Sequence, residues 1–226
     1  MTSPITLISD PKVIAIPIHD IQEPLVDSRE KGDILIGPSP EIDNNTTYTL
    51  MRYTVYKKLK EAQIRLPSRL RFCLYEAYRH PQLQKDLFAI HLQKTQIRYP
   101  NWPYEKQFTE ATKLFSPMIL LDGSINIAPH TTGAAIDVYL IDTDGNAIDM
   151  GIHPKDWMQD ADGCLSLMDS EYISVEAKNN RTIMHRVLSS VGFVNYPTEY
   201  WHWSYGDRYW AYCKNRAYAI YGTVSV

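Results

Sequence analysis

His130 and Asp137 stand seven positions apart around Gly133, in the stretch Ala128-Pro129-His130-Thr131-Thr132-Gly133-Ala134-Ala135-Ile136-Asp137. Imidazole and carboxylate are the ligands a catalytic zinc takes, usually three from the protein with a fourth position left for water. Seven residues of helix separate the two ends by roughly 10 Å, and seven of strand by more than about 20 Å, so neither regular form brings both side chains to one ion. The chain must fold back between them, and Gly133 supplies the backbone freedom to do so. From Ile136 to Ile141 the β-branched and aromatic residues predict a buried strand. His130 is therefore expected on a loop and Asp137 at the start of that strand. A third ligand has to come from elsewhere. His202 is the best of the remaining histidines, because Glu199 stands three residues before it and aromatic residues crowd both sides. A carboxylate beside a zinc-activated water takes its proton and hands it to a leaving amine, the role expected of Glu199.

Taken in order, His130-x-x-Gly133-x-Ala135-x-Asp137 followed by Glu199-Tyr200-Trp201-His202 resembles the zinc D-alanyl-D-alanine dipeptidases (VanX-like), which are related to the zinc D,D-carboxypeptidases. The resemblance implies one zinc ion held by His130, Asp137 and His202, with Glu199 as the catalytic base. Glu76-Ala77-Tyr78-Arg79 is similar to the family's acidic-x-Tyr-Arg segment, which makes Arg79 the electrophile facing the scissile carbonyl. Met150-Gly151 followed by Asp156 is similar to the segment whose aspartate holds the substrate's ammonium group, so Asp156 is the candidate substrate-binding acid. Three positions depart from the family pattern. Ala128 stands where the family carries a serine, His80 intervenes between Arg79 and Pro81, and the Gly151 to Asp156 spacing is one residue longer. The implied substrate is a small D-dipeptide. The alternatives are a D,D-carboxypeptidase trimming peptidoglycan stem peptides and an inactive peptide- or cell-wall-binding module.

The elements that must position these residues are legible in part. Val13 to Ile18 reads as a short strand, and the prolines and glycines from Pro17 to Pro40 as strands and loops. The Asn44 to Thr47 cluster leads into a helix carrying Leu50, Val55, Leu59, Ala62 and Leu66, stopped by Pro67. Leu70, Phe72 and Leu74 alternate as a strand ending at Tyr75 to Arg79. A helix begins at Pro81 with a stripe of Leu83, Leu87, Ile90 and Leu92, and a second spans Tyr104 to Phe115. Asp142-Thr143-Asp144-Gly145-Asn146 is turn chemistry joining Ile136–Ile141 to Ala147–Met150 as a hairpin. Ser174 caps the last long helix, with Gly192 past its end, and an aromatic extended tail follows. Strands and helices mix without a strict βαβ rhythm, which predicts an α+β fold: helices on a mainly antiparallel sheet, Hedgehog/D,D-peptidase-like by the resemblance.

With 226 residues, 44% apolar and 22% charged, the chain is expected to be one zinc peptidase domain, residues 1–226. A formal charge of −3 and the lack of a long basic run argue against nucleic acid as a partner. The three cysteines, Cys73, Cys164 and Cys213, are too scattered for a disulfide framework or a thiolate metal site. No signal sequence or membrane span is visible, so a cytoplasmic protein without a membrane partner is expected. Oligomeric state leaves no trace in the sequence.

Overall fold

The computed structural model describes residues 5–40, 42, 45–160, 162–224 and 226; Asn44, at the head of the expected loop, lies outside them. The elements run in chain order as helix α1 (Pro11–Ile14), strand β1 (Leu25–Asp27), helix α2 (Ser28–Lys31), β2 (Leu35–Ile36), β3 (Leu50–Arg52), α3 (Tyr53–Arg65), β4 (Leu70–Glu76), α4 (Pro81–Arg98), α5 (Tyr104–Ala111), β5 (Ala135–Asp142), α6 (Val175–Ser190), β6 (Val194–Tyr196), β7 (Glu199–Ser204) and α7 (Arg208–Cys213). Five strands form one sheet in the order β2-β4-β5-β7-β6, and β1 and β3 form a two-stranded ribbon. Among the described residues, the β2–β4 pairing in this sheet is parallel and the other three are antiparallel. The fold is α+β with a mainly antiparallel sheet, as the mixed element order predicts.

Alternation along the two central strands divides their side chains between faces. Phe72, Leu74, Ile136, Val138 and Leu140 join the main core, with Val55, Leu59 and Ala62 of α3 and Met184, Val187 and Leu188 of α6. Cys73, Tyr75, Tyr139 and Ile141 form a separate cluster. Asp137 shares the parity of Tyr139 and Ile141, so the alternation that fills the core sends its carboxylate away from the main one. The last helix is capped as expected, Ser174 Oγ accepting from Ala177 N at 2.9 Å.

Four sequence expectations change. Val13 to Ile18 is not a strand: Asp10 accepts from Lys12 N at 2.8 Å and Pro11 occupies the first turn, so the segment opens as a short helix. The helix expected to include Leu50 starts at Tyr53, because Leu50–Arg52 pairs with Leu25–Asp27. On α4 the buried residues are Gln84, Phe88 and Thr95, while Ile90 is 49% exposed; the inner face is set by a polar anchor at Gln84 and not by the aliphatic stripe. The expected hairpin after β5 is reduced to its turn and one bridge between Ile141 and Ala147.

His91 lies beside the rings of Phe115 and Trp157, with centroids 5.7 and 5.6 Å away. Burial pushes its imidazole down to about 4 from an ordinary 6.5. Between those values the unfolded chain binds one more proton than the folded one, so stability rises with pH across that window. The stabilisation lost on acidification through it is on the order of 3 kcal/mol. Denaturant unfolding at a series of pH values should show this slope for the parent and a flatter one for His91→Gln. Equal slopes would remove His91 as the cause.

Candidate active site

The β5–β7 ladder sets Asp137 directly opposite His202. On the other side of β5, a register shift in β4 between Leu74 and Glu76 sets Glu76 opposite Asp137. Such a bulge re-aims side chains, and here it points a second acid toward the same end of the sheet. His130 arrives from a 3-10 turn, Pro129–Thr132, closed by Gly133 in the left-handed region at φ 68°. A Cβ at Gly133 would lie 2.5 Å from Leu25 Cδ2, so both conformation and space require glycine. Arg52 fastens this turn from below. Its backbone N–H donates to Gly133 O at 2.9 Å and its Nε to Thr132 O at 2.8 Å.

His130 Nδ1 lies 2.6 Å from Ala77 O, and this bond assigns a proton to Nδ1 and turns Nε2 inward. That Nε2 is 3.3 Å from Asp137 Oδ2 and 3.1 Å from His202 Nδ1, while His202 Nδ1 is 3.1 Å from Asp137 Oδ1. One ligand atom from each of the three buried residues lies within 4.8 Å of the other two. Two imidazoles and one carboxylate, buried and convergent, are a donor set suited to a metal ion. Glu199 Oε2 sits 3.9 Å from His202 Nδ1, beside the cluster rather than in it.

Electrostatics separates the roles. Burial raises the Glu199 carboxyl well above its usual range, and the Asp137 charge adds to this while Arg79 opposes it. At Asp137 burial also pushes upward, yet the His130 charge and the bonds from both histidines win and hold it low. Burial pulls both imidazoles down. The Asp137 charge reverses the balance at His130, which ends raised, but not at His202, which ends lowered. Two acids a short distance apart are thereby driven in opposite directions, one kept ionised and one able to carry a proton.

Arg79 is buried with Glu76, which accepts from Nε at 2.9 Å and from Nη2. Gln84 accepts from Nη1 at 2.8 Å and is itself held by donating to Ser116 O at 2.8 Å. The Arg79 backbone N–H donates to His130 O at 3.2 Å, tying the Arg79 and His130 turns together. His80 is the N-cap of α4, its Nδ1 accepting from Gln82 N at 3.1 Å, so the extra residue before Pro81 starts the helix that delivers Gln84.

One small pocket is walled by Arg79, Ala128, His130, Glu199 and His202, and a second by Tyr75, Asp137, Trp157, Glu199 and Trp201. The structure therefore gathers His130, Asp137, His202, Glu199 and Arg79. Asp156 walls neither pocket; it is half-buried on the 3-10 turn Pro154–Gln159 and accepts from Gln159 Nε2 at 3.0 Å. Sequence reasoning missed Arg52, Gln84 and the Ala77 carbonyl, none of which has a local signature.

The family model described as D-ala-D-ala dipeptidase matches residues 41–220. The chain belongs to this D-Ala-D-Ala dipeptidase family. It is accordingly an enzyme, a metallopeptidase of the dipeptidase type. All five gathered residues lie inside the matched segment. The D-alanyl-D-alanine dipeptidase of Synechocystis sp. is 25% identical over 246 residues, covering 93% of this chain and 96% of that relative. Two solved structures are similar at lower levels. VanYB in complex with D-Alanine-D-Alanine is 12% identical over 74% of this chain and 79% of that one, with a TM-score of 0.43. The LdcB LD-carboxypeptidase is 16% identical over 87% and 76%, with a TM-score of 0.36. Among the described residues no helix is long and apolar enough to cross a membrane.

Proposed function

We propose that this member of the family is a zinc-dependent dipeptidase that hydrolyses D-alanyl-D-alanine or a close D-dipeptide. The observation that carries the reading is the convergence of His130, Asp137 and His202 with Glu199 at the edge of the cluster and Arg79 across the same pocket. His130, Asp137 and His202 would hold the ion. Zinc, when bound there, supplies Lewis-acid activation of water and of the peptide carbonyl. Glu199 accepts the proton of the attacking water and delivers it to the departing amine, a task suited to a carboxyl whose pKa burial has raised. Arg79, locked by Glu76 and Gln84, presents a fixed positive charge to the oxygen that gains charge in the transition state.

The pockets beside Glu199 hold about 30 Å³ each, close to one water's share of liquid volume. The family's description as D-ala-D-ala dipeptidase, and the dipeptidase relative that spans nearly the whole chain, support a short free substrate over the long stem peptide of a D,D-carboxypeptidase. Hydrolysis of free D-Ala-D-Ala and of an N-acylated peptide ending in D-Ala-D-Ala, each with and without chelator, tests the reading. Chelator-sensitive cleavage of the free dipeptide alone is expected, and cleavage of the acylated peptide alone would reverse it. Binding without hydrolysis in the presence of zinc would instead support the binding module.

Arg79→Lys should lower kcat by about 100- to 1,000-fold with a smaller change in KM. Lysine keeps a partner for the buried Glu76 but loses the two-pronged geometry, so the loss should exceed any change in thermal stability. Steady-state kinetics beside a thermal melt measures both, and an unchanged kcat would limit Arg79 to a structural pair.

A further inference from the structure

A cavity of about 510 Å³ lies next to the catalytic pockets, with Tyr99, Leu114, Trp157 and Leu167 among its walls. Leu114 walls this cavity and both small pockets, and Trp157 walls this cavity and one of them. Thr198, the neighbour of Glu199, reaches it too. Leu114 and Trp157 are therefore shared walls where the small pockets at the chemistry adjoin a space large enough for a small-molecule ligand.

The chemistry of the cavity is that of an apolar subsite. Its rim carries Lys113, paired with Glu110 at 2.7 Å, and Arg98, paired with Asp162. Lys94 Nζ lies 2.7 Å from Met158 Sδ. Two of the three cations thus already meet a carboxylate, and Tyr99, Leu114, Trp157, Met158 and Leu167 supply the apolar part of the wall. On the catalytic side, Ala128 is 1% exposed and presents a methyl group where the family resemblance places a serine. The catalytic side is thus lined by an apolar methyl group here, and a larger space with apolar walls adjoins it.

We propose that this cavity is the enzyme's specificity subsite, taking the bulky apolar side chain of one residue of a D-dipeptide, so that a phenylalanyl dipeptide is a better substrate than D-Ala-D-Ala. The inference rests on the dipeptidase reading and deepens it. The scissile bond is placed at Glu199, and side-chain choice is made where the cavity adjoins that site beside Leu114 and Trp157.

The test compares D-Ala-D-Ala with D-Ala-D-Phe and D-Phe-D-Ala on the zinc-loaded full chain. One of the two phenylalanyl peptides should exceed D-Ala-D-Ala in kcat/KM by at least about tenfold. Leu167→Trp and Met158→Trp, which fill the cavity from two sides, should each cut that ratio by about tenfold, so that one misfolded variant leaves the other as a reading. Calorimetric binding of the same three peptides to Glu199→Gln gives a readout that does not need turnover. A D-Ala-D-Ala preference in both rate and binding, or a phenylalanyl preference that neither filling variant changes, overturns the proposal. If no D-dipeptide is hydrolysed, the dipeptidase reading falls by itself, and the binding preference still decides the cavity's role.

Discussion

Glu199→Gln should keep its metal and its fold while losing about three orders of magnitude in kcat, the scale of a positioned general base. Glutamine matches the shape of glutamate and can still donate or accept a hydrogen bond, but it cannot take a proton from water and return it to an amine. Glu199 stands 3.9 Å from His202 Nδ1, outside the three-residue cluster, so elemental analysis should find zinc at the parent level. Stability should move in the opposite direction from activity. Burial first, and the Asp137 charge second, raise the folded carboxyl above its ordinary 4.5. Such a group contributes stability fully present below its unfolded pKa and lost as pH rises through its folded pKa. In the metal-free protein at neutral pH, glutamine escapes that loss, and its melting temperature should equal or exceed the parent's. Turnover within tenfold of the parent would remove Glu199 as the base. A metal-free variant that melts below the parent would show that the buried carboxyl is not a source of strain.

The parts of this site that could be read in the sequence are those in which one residue type does the chemistry at a fixed local offset. His130 and Asp137 are joined by a turn whose glycine announces itself, and Glu199 and His202 lie on one short strand. Arg79 follows Glu76 by three residues, close enough for the pair to be foreseen. What could not be read is long-range. Asp137 meets His202 because β5 pairs with β7 across more than sixty positions, and no local pattern encodes that register. Arg52 donates to Thr132 O across eighty positions. Gln84 was hidden for another reason: a glutamine in a helix ordinarily faces water, and its burial follows only from Arg79 and Ser116 lying on either side. The α4 stripe failed by the same cause, since hydrophobic periodicity selects the aliphatic face while this helix turns inward the face that serves the arginine. Asp10-Pro11 has the residue types of a helix start, but the apolar run after it carries the pattern of a strand.

Metal affinity should fall as pH falls through the neutral range, and removing the metal should abolish turnover. Without an ion, Asp137 is bracketed by two imidazoles. Burial alone would keep His130 neutral, yet the Asp137 carboxylate 3.3 Å from Nε2 outweighs it and raises the imidazole above 6.5. A metal ion held by this cluster would take the inward-facing Nε2, so its uptake would release the proton carried there. Asp137 is held too low to titrate in this range, and His202 is lowered by burial, which leaves His130 as the competing site. Below the His130 pKa each pH unit should therefore cost about tenfold in apparent affinity, flattening above it. Competition with a chromophoric chelator across that range gives the slope directly. His202→Ala should lose the ion and with it chelator-sensitive hydrolysis, because two remaining ligands do not make the three-donor set of a catalytic zinc. Zinc retained at the parent level by His202→Ala would break the assignment of the cluster. An affinity that does not change with pH would instead leave the cluster standing and show that His130 enters it without a proton to lose.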